Sequence, residues 1–348
     1  MNNEVIGVIS TDWHLKVENI NDITDLVHQQ IDLATKYGCR TLICLGDVFD
    51  SRISQREEVL NAFTTILDMV AENGMHLLCV PGNHDKTDYK SDRSFLTPFA
   101  YHPSLMLCEK PTLMYLSQET GLIVPVFCVP FYESSVWIEK VKRHYEKYQG
   151  EKPILLSHIA VYGSVNNDGS IVTSPITPAF LREMFSRVYL GHYHNAQEVS
   201  EGVIHLPSIQ QNNFGEDTEK GFTLLFEDGD FEFVKAAFKE YISLKVDVDI
   251  TSKAELVKFL DLNSGGDKRV KIEAIGSESK LKALNEELFS ERGIVLKKRR
   301  KDLDTDVRLD EISSEISKAS VKELFKNFCQ EKGYDYEQGF NFLKNYVE

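Results

Sequence analysis

The sequence predicts an α/β fold with a parallel central sheet, and three observations lead to that prediction. Three apolar, strand-like runs alternate with two amphipathic helical segments over the first eighty residues. A cluster of polar residues follows each of these runs, at the end of a strand, where an α/β fold builds its active site. The 348 residues are 42% hydrophobic and 27% charged, so the chain can bury a sizeable core as two domains or as one with an appendage.

The elements of the first 240 residues follow from local patterns. In chain order we predict strands at 4–10, 41–45, 75–80, 123–129, 153–157, 188–190, 203–206, 222–226 and 231–234, and helices at 21–37, 54–72 and 133–148. Apolar residues at helical spacing predict the first helix, and Gly38 ends it. Ser54 with Glu57 three residues later has the pattern of a capping box and predicts the start of the second helix. The last three strands are predicted to be antiparallel.

The pattern changes near Tyr241, where a second and smaller βαβαβ unit begins. It has predicted strands at 243–250, 269–275 and 294–298 and helices at 253–260 and 279–289. We therefore divide the chain into a large domain at 1–240, a small domain at 241–300, a polar, acidic-rich linker at 301–319 and a segment at 320–348. That last segment is predicted to be a pair of helices that turn at Gly333.

Charge and composition narrow the possible classes of protein. The formal net charge is −15, and residues 1–240 carry nearly all of it, with 19 basic against 33 acidic residues. Diffuse attraction cannot hold a polyanion on so acidic a chain, so a nucleic-acid substrate would need local basic groups, metals or a partner. No apolar run reaches the roughly 18 to 20 residues that span a bilayer, and the strand starting at Glu4 leaves no room for a signal peptide. Six cysteines without a CxxC pair indicate reduced thiols, and we expect a cytoplasmic protein without membrane contact.

Five polar motifs along the first 194 residues are interpreted as one dinuclear metal site. They are Asp12-Trp13-His14, Gly46-Asp47-Val48-Phe49-Asp50, Gly82-Asn83-His84-Asp85, the single His158, and Gly191-His192-Tyr193-His194. Each motif alone is common by chance or as a turn, but five in order at strand ends argue against chance. Nitrogen and oxygen donors of this mixture suit manganese, iron or zinc rather than calcium or a thiolate site. The Asp47 carboxylate can bridge two ions about 3.5 to 4 Å apart.

His84 stands beside these candidate ligands and is the candidate catalytic residue. A histidine there can stabilise charge on a phosphorus centre or protonate a leaving oxygen, and Asp50 could orient it. The other five histidines have no comparable context and are interpreted as ordinary surface or core residues. They are His28, His76, His102, His144 and His205.

The order of these motifs resembles that of the calcineurin-like metallophosphoesterases. Within that superfamily, residues 11–15 and 46–50 are similar to the SbcD-type nuclease subunits of the double-strand-break repair complex and to their tailed-phage counterparts, the nuclease subunits of a recombination endonuclease. Residues 206–221 are similar to the family's Gly-Ser-Pro, Phe-x-Glu and Lys-Gly stretch, although Pro207 stands where glycine is usual. The resemblance covers residues 4–235 and implies a sandwich of two mixed sheets flanked by helices, with a small capping domain and C-terminal helices.

The resemblance also implies roles for individual residues. One ion would be held by Asp12, His14, Asp47 and His194, and the other by Asp47, Asn83, His158 and His192, with Asp47 as the bridge. His84 matches the family's catalytic histidine, and Asp50 is the variant that can pair with it. The implied cofactors are two Mn²⁺ ions, with other divalent metals possible. The implied activity is exonuclease on duplex DNA ends and endonuclease on single strands.

The partners implied by the resemblance are DNA ends, a coiled-coil ABC-type ATPase like SbcC, and a second copy of the chain within a heterotetramer. The closing helices (320–347) would dock on the ATPase, or would simply pack on each other. The basic run Lys297, Lys298, Arg299, Arg300 and Lys301 would contact phosphates, or is a solvated strand end. Arg52, Arg56 and Arg93 follow metal motifs and are weaker candidates for DNA contact.

Two other functions remain open on the sequence. One is a phosphomonoesterase or small-molecule phosphodiesterase on the same scaffold, which would prefer small esters to DNA. The other is a scaffold that has lost its metals, and the intact ligand set argues against it. The sequence does not distinguish a bacterial from a phage host, and it leaves cleavage polarity and the native metal open.

Overall fold

Two six-stranded mixed sheets form the larger part of the molecule in the computed structural model, which describes residues 4–117, 123–166, 169–266 and 268–301. The strands are β1 (Val5–Ser10), β2 (Thr41–Cys44), β3 (His76–Cys79), β4 (Leu105–Leu107), β5 (Thr112–Ser117), β6 (Ile123–Val129), β7 (Ile154–His158), β8 (Arg187–Gly191), β9 (Gln197–Ser200), β10 (Val203–His205), β11 (Gly221–Phe226), β12 (Phe231–Lys235), β13 (Glu240–Asp247), β14 (Lys268–Gly276) and β15 (Val295–Arg300). The helices are α1 (Ile20–Lys36), α2 (Glu57–Glu72), α3 (Ser134–Tyr145), α4 (Pro178–Met184), α5 (Lys253–Asn263), α6 (Glu278–Lys282) and α7 (Glu287–Ser290).

The first sheet has the strand order β12-β11-β1-β2-β3-β4. Strands β1 to β4 are parallel, as the alternation of strands and helices predicts, and β11 and β12 add an antiparallel edge. The second sheet has the order β5-β6-β7-β8-β10-β9, in which β6, β7, β8 and β10 are parallel. The prediction of an antiparallel strand at 203–206 is therefore only partly correct, because β10 lies antiparallel to β9 but parallel to β8.

The two sheets pack face to face, and helices cover both outer faces. Alternate residues of β1 and β2 point to opposite sides, so that Ile9 and Ile43 lie in the core between the sheets while Val8 and Leu42 face the layer of α1 and α2. Trp137 of α3 belongs to a third core on the outer face of the second sheet. The predicted fold class, a sandwich of two mixed sheets flanked by helices, is confirmed.

The helix boundaries show where local pattern and structure differ. The first helix ends as predicted, because Gly38 lies just beyond α1 with φ +66°, a conformation that favours glycine. The second helix begins at Glu57 with Arg56 at its N-cap, so the predicted start at Ser54 and its capping box are wrong. Residues 51–56 instead form a loop, in which the amides of Ile53 and Ser54 lie 3.4 Å from the Ser51 hydroxyl. The loop carries the chain from the end of the second motif to the helix.

A third sheet, with parallel strands in the order β13-β14-β15, forms a small unit at residues 240–300 with its own hydrophobic core. The predicted helix at 279–289 is interrupted there and appears as α6 and α7. Arg269 of the small unit pairs with Asp22 of α1, and Lys239, directly before the unit, pairs with the same carboxylate. The predicted linker beyond Lys301 and the helices at 320–348 lie outside the described residues.

Two further observations concern the cysteines and the helices of the chain. The five described cysteines are all buried and have free thiols. Within the described ranges, no helix has the length and apolar character needed to cross a membrane.

Candidate metal centre

Seven polar side chains meet where the carboxyl ends of the parallel strands of both sheets come together. They follow or end β1, β2, β3, β7 and β8, so that each lies at a strand end as predicted. The seven are the residues that the sequence indicates as ligands: Asp12, His14, Asp47, Asn83, His158, His192 and His194. The structure brings the full set together from positions as far as 182 residues apart.

The first group of donor atoms surrounds Oδ1 of Asp12. Nε2 of His14 lies 3.9 Å and Nε2 of His194 lies 3.8 Å from this oxygen. The two imidazole nitrogens are 3.1 Å apart, and Nε2 of His14 is 3.8 Å from Oδ2 of Asp47. Atoms at these separations can share one cation, because metal–ligand bonds to nitrogen and oxygen are about 2.0 to 2.2 Å long.

The second group lies on the other side of Asp47. Nε2 of His158 is 3.4 Å from Oδ2 of Asp47 and 3.0 Å from Oδ1 of Asn83. Nδ1 of His192 is 2.8 Å from the same Asn83 oxygen and 3.3 Å from Nε2 of His158. Oδ2 of Asp47 therefore faces both groups, and this one oxygen is placed to bridge two ions.

The backbone at the site adopts conformations that side chains usually avoid. Asp12, His14, Asp47 and His192 have φ of 54°, 46°, 50° and 99°, and within the described ranges they are the non-glycine residues with positive φ. Each such residue costs on the order of 1–3 kcal/mol. All four are candidate ligands, so the strain falls on the positions that must direct side chains into the cluster.

Close packing of the loops maintains this backbone. The amides of Asp12 and His14 donate to the carbonyls of Gly46 and Asp47, both at 3.0 Å, and so join the first two loops. Gly82 lies against the Asp47 carboxylate, where a Cβ atom would overlap an oxygen. The glycine of the third motif is therefore required for the close approach of the bridging residue.

The donor set fits divalent metal ions. Oδ1 of Asp12 is buried and has no hydrogen-bond partner among the described residues, which is costly for a carboxylate unless a cation is bound. Imidazole nitrogens only 3.1 and 3.3 Å apart likewise need a proton or a cation between them. Nitrogen and oxygen donors without sulfur match manganese, iron or zinc, as the sequence predicts.

The electrostatics of the cluster favour positive charge. Burial opposes ionisation of Asp47, but His158, His14 and His84 outweigh it and hold the Asp47 pKa well below its usual range. Burial likewise disfavours the charged form of His158, yet Asp47 and Asp12 raise the pKa of His158 to about 9. The carboxylates around this buried position therefore favour positive charge there, which suits a bound cation.

His84 faces the same centre from an open pocket of about 310 Å³. Its amide donates to Oδ1 of Asp47 at 2.7 Å, and its Nδ1 lies 2.5 Å from the main-chain carbonyl of Asp50. Nε2 is 2.6 Å from Nη2 of Arg52. The ring is thus held through Nδ1, which directs Nε2 towards the pocket.

The Asp50 side chain does not orient His84, contrary to the sequence-based hypothesis. Its carboxylate lies 3.5 Å from Nδ1 of His14 and 3.3 Å from Nζ of Lys16. Hydrogen bonding to His14 is the main reason that the pKa of Asp50 falls to about 2. The main chain of Asp50 contacts the candidate catalytic histidine, while its side chain supports a candidate ligand instead.

The basic residues predicted to contact DNA lie in different surroundings. Arg52 lines the pocket with Lys16, which the sequence analysis missed. Arg56 pairs with Glu58 at the surface, and Arg93 lies in a separate polar pocket. Four residues of the basic run have acidic partners inside the small unit: Lys297 with Glu273, Lys298 with Glu286, Arg300 with Glu278, and Lys301 with Asp247 and Asp249. These ion pairs do not support phosphate binding by the run. A phosphate-binding role for the run, including Arg299, stays a prediction.

Besides Lys16, four residues outside the predicted set support the site. Glu216 accepts a hydrogen bond from His194, and buried Lys220 donates to the carbonyl of His194 at 2.6 Å. Asp85 accepts from the amides of Phe49 and Gly82. Buried His205 contacts the Gly191 carbonyl. The Phe-x-Glu and Lys-Gly resemblance contains Glu216 and Lys220, but their contacts could not be read from it.

Comparison with known proteins gives a family match and one curated relative. Residues 8–196, more than half of the chain, match the family described as calcineurin-like phosphoesterase. Over 197 residues the chain is 25% identical to exonuclease subunit 1 of Enterobacteria phage T4, an alignment that covers 54% of this chain and 55% of that protein. The chain thus spans about half the length of the curated relative it matches.

Two solved structures are also similar. Nuclease MPE of Pseudomonas putida aligns with 59% of this chain and 73% of its own, at 14% identity and a TM-score of 0.32. A dimetal phosphatase from Danio rerio aligns with 63% of this chain and 91% of its own, at 12% identity and a TM-score of 0.40.

Proposed function

This chain belongs to the calcineurin-like phosphoesterase family, and we propose that within this family it is a DNA nuclease that works with two divalent metal ions. Members of the family are hydrolases of phosphoesters. The observation that carries the proposal is the arrangement around Oδ2 of Asp47, with two groups of donors on either side and His84 at the open end of the same pocket.

Seven residues would hold the two ions in the arrangement already described. Asp12, His14 and His194 with Asp47 would bind one ion, and Asn83, His158 and His192 with Asp47 would bind the other. Bound ions supply Lewis acidity towards the phosphate and a water molecule made acidic enough to ionise near neutral pH. We propose Mn²⁺ as the metal.

His84 is proposed as the catalytic residue at the scissile phosphate. The Asp50 carbonyl accepts from Nδ1, so Nε2 is the nitrogen that faces the phosphate, and a proton delivered to the leaving oxygen would first have to be taken up at Nε2 in place of the hydrogen bond from Arg52. The Arg52 guanidinium beside Nε2 brings a fixed positive charge to the same place. Together the two side chains are suited to a phosphate whose negative charge increases during reaction.

The choice of DNA rests on two supports. The first is the similarity to a phage protein that is named as an exonuclease subunit. The second is the open pocket, which is lined by Arg52 and by Lys16, itself paired with Asp50, and so offers positive charge to a phosphate. We propose cleavage at duplex ends and in single strands. On an acidic chain, this local charge and the ions must supply the affinity.

The wider assembly is proposed from the similarity to the phage exonuclease subunit. The partner would be an SbcC-like ATPase with coiled coils, in a heterotetramer that contains two copies of this chain. The small unit would help to position DNA above the metal centre. The competing function is hydrolysis of phosphomonoesters or small phosphodiesters, for which the same cluster of ligands would serve.

A substrate comparison tests the proposal. The purified chain is incubated with Mn²⁺ and with end-labelled linear duplex DNA, p-nitrophenyl phosphate or cyclic nucleotides, with and without a candidate ATPase and ATP. We expect DNA degradation that stops when the metal is chelated. Hydrolysis of the small esters alone would replace the nuclease by the competing function, and a chain that takes up no metal would reject both.

A further inference from the structure

His194 is held through the ring nitrogen that faces away from the first group of donors. Its Nδ1 lies 2.7 Å from Oε1 of Glu216, whose side chain is fully buried. The Glu216 carboxylate also accepts from the amide of Asn212 at 3.0 Å and from the side chain of Asn213 at 2.6 Å. A carboxylate behind a histidine ligand fixes the ring's tautomer and orientation and makes it a stronger donor.

The loop that carries Glu216 reaches a second candidate ligand. This loop, residues 211–216, places the side-chain amide of Asn212 3.2 Å from the carbonyl of Asp12. Gln211 closes the loop by donating to the Glu216 carbonyl at 2.9 Å. The loop therefore hydrogen-bonds to both Asp12 and His194, which belong to the first group, and among the described residues it makes no hydrogen bond to the second group.

The opposite side of the loop packs against the small unit. The ring of Phe214 meets the ring of Tyr241 at 4.9 Å, and Nζ of Lys271 lies 4.7 Å above the Phe214 ring. The amide of Tyr241 donates to Oε1 of Gln211 at 2.8 Å. A continuous set of contacts therefore runs from the small unit through the loop to His194.

We propose that Glu216 is a positioning residue for the ion held by Asp12, His14 and His194, and that the loop at 211–216 makes this ion's affinity depend on the small unit through Phe214. A shift of the small unit moves Phe214, which stands two residues from Glu216, and so alters the orientation of the His194 ring. The second ion, held by His158 and His192, is not coupled in this way. The inference deepens the proposed function and rests on its two-metal site.

Metal titration of the full-length chain tests the role of Glu216. Mn²⁺ alone is titrated by calorimetry, and bound Mn²⁺ is counted independently by electron paramagnetic resonance. We expect Glu216→Gln to weaken one of two sites about 10- to 100-fold and leave the other unchanged. Glu219→Gln is the matched control, because Glu219 undergoes the same chemical change three residues away while paired with Lys235 at the surface. It should bind both ions as the wild type does.

A double-mutant cycle tests the path from the small unit. Phe214→Ala should weaken the same site about 2- to 30-fold. Added to Glu216→Gln it should have no further effect, because Phe214 acts through that carboxylate. The control is Phe231→Ala, which removes a partly exposed ring that packs on Tyr189.

Three results would overturn the inference: unchanged metal affinity in Glu216→Gln, equal weakening of both sites, or effects of Phe214→Ala and Glu216→Gln that simply add. If Glu216→Gln does not fold, Glu216→Asp keeps the charge at a shorter reach and should weaken the same site by a smaller factor. The titrations use no DNA, so their outcome is separate from the nuclease proposal. A wild-type chain that binds two ions but cuts no DNA would refute only the proposed function.

Discussion

Several histidines of the centre are fixed by the partner of their second ring nitrogen. Nδ1 of His158 lies 2.7 Å from the Leu45 carbonyl, and Nδ1 of His84 faces the Asp50 carbonyl. A carbonyl can only accept, so Nδ1 carries a proton in both rings and Nε2 is the nitrogen that faces the site. In this way the main chain decides which nitrogen each histidine offers to a metal or a substrate.

Replacing His84 is expected to separate catalysis from metal binding. His84→Asn removes the imidazole while the main-chain amide still holds Asp47, so metal uptake should persist. DNA cleavage should fall at least about 100-fold, the usual contribution of a general acid. Cleavage of labelled linear DNA with Mn²⁺ measures the first effect and calorimetry the second, with His102→Asn as a control away from the pocket. Cleavage at near wild-type rates would show that His84 has no chemical role.

His205 is expected to make the fold sensitive to acid. Its ring is fully buried between the Gly191 carbonyl and the Ser164 hydroxyl, and burial lowers its pKa to about 3. The unfolded chain, with a histidine pKa near 6.5, binds more protons between these values, so stability falls as pH drops from 6.5 towards 3. At pH 5 this group should cost about 2 kcal/mol relative to pH 7.

Unfolding by urea at pH 7 and pH 5, in the wild type and in His205→Gln, measures this dependence. The variant is less stable at pH 7 because it changes a buried contact, but it should lose less on acidification. Equal losses in the two proteins would remove His205 as a source of the acid sensitivity.

At the scale of secondary structure, α2 supports the loop that carries the bridging ligand. Phe63 of this helix is fully buried and packs edge-on against Phe49 at 5.5 Å and Phe99 at 5.0 Å. Phe49 stands two residues after Asp47 in the same motif. The helix thus stabilises the fold and the backbone conformation at Asp47 through the same aromatic contacts.

Phe63→Ala is expected to destabilise the fold by about 3–5 kcal/mol, because it removes a buried ring and leaves a cavity. Thr64→Ala, at an exposed position next to it on the same helix, should change the free energy of unfolding by less than about 0.5 kcal/mol. Denaturant unfolding monitored by circular dichroism gives both values. A loss under about 1 kcal/mol in Phe63→Ala would mean that this core is less tightly packed than the structure indicates.

At the scale of the whole molecule, one site requires both sheets. Asp12, Asp47 and Asn83 come from the first sheet, and His158, His192 and His194 from the second. The centre can form only when the two sheets pack with their parallel carboxyl ends on one side. The small unit then contacts the first group of ligands through the loop at 211–216.

Removing the end of the chain is expected to separate nuclease activity from assembly. Deletion from Ser314 onward takes away the two predicted amphipathic helices but none of the metal ligands. Basal DNA cleavage should be unchanged, whereas co-purification with the proposed SbcC-like ATPase should be weakened. Co-purification at the wild-type level would refute docking through these helices, and loss of basal cleavage would show that they also serve the large domain.

The sequence by itself determined the fold class, the family resemblance and the residues that meet at the strand ends. Helical periodicity located α1, and the apolar runs located β1, β2 and β3, because burial of one face leaves a repeating pattern in the chain. Polar motifs after parallel strands then had to lie at one edge of a sheet.

Only the tertiary structure decided the partners of individual polar atoms. Glu216 orients His194 from 22 residues away, the Asp50 carboxylate turns to His14 rather than His84, and α2 begins three residues after its apparent cap. Hydrogen bonds of this kind depend on which distant segments pack together, and short-range periodicity carries no information about that packing. The surroundings of the ligands therefore had to come from the fold, although the ligands themselves could be named from the sequence.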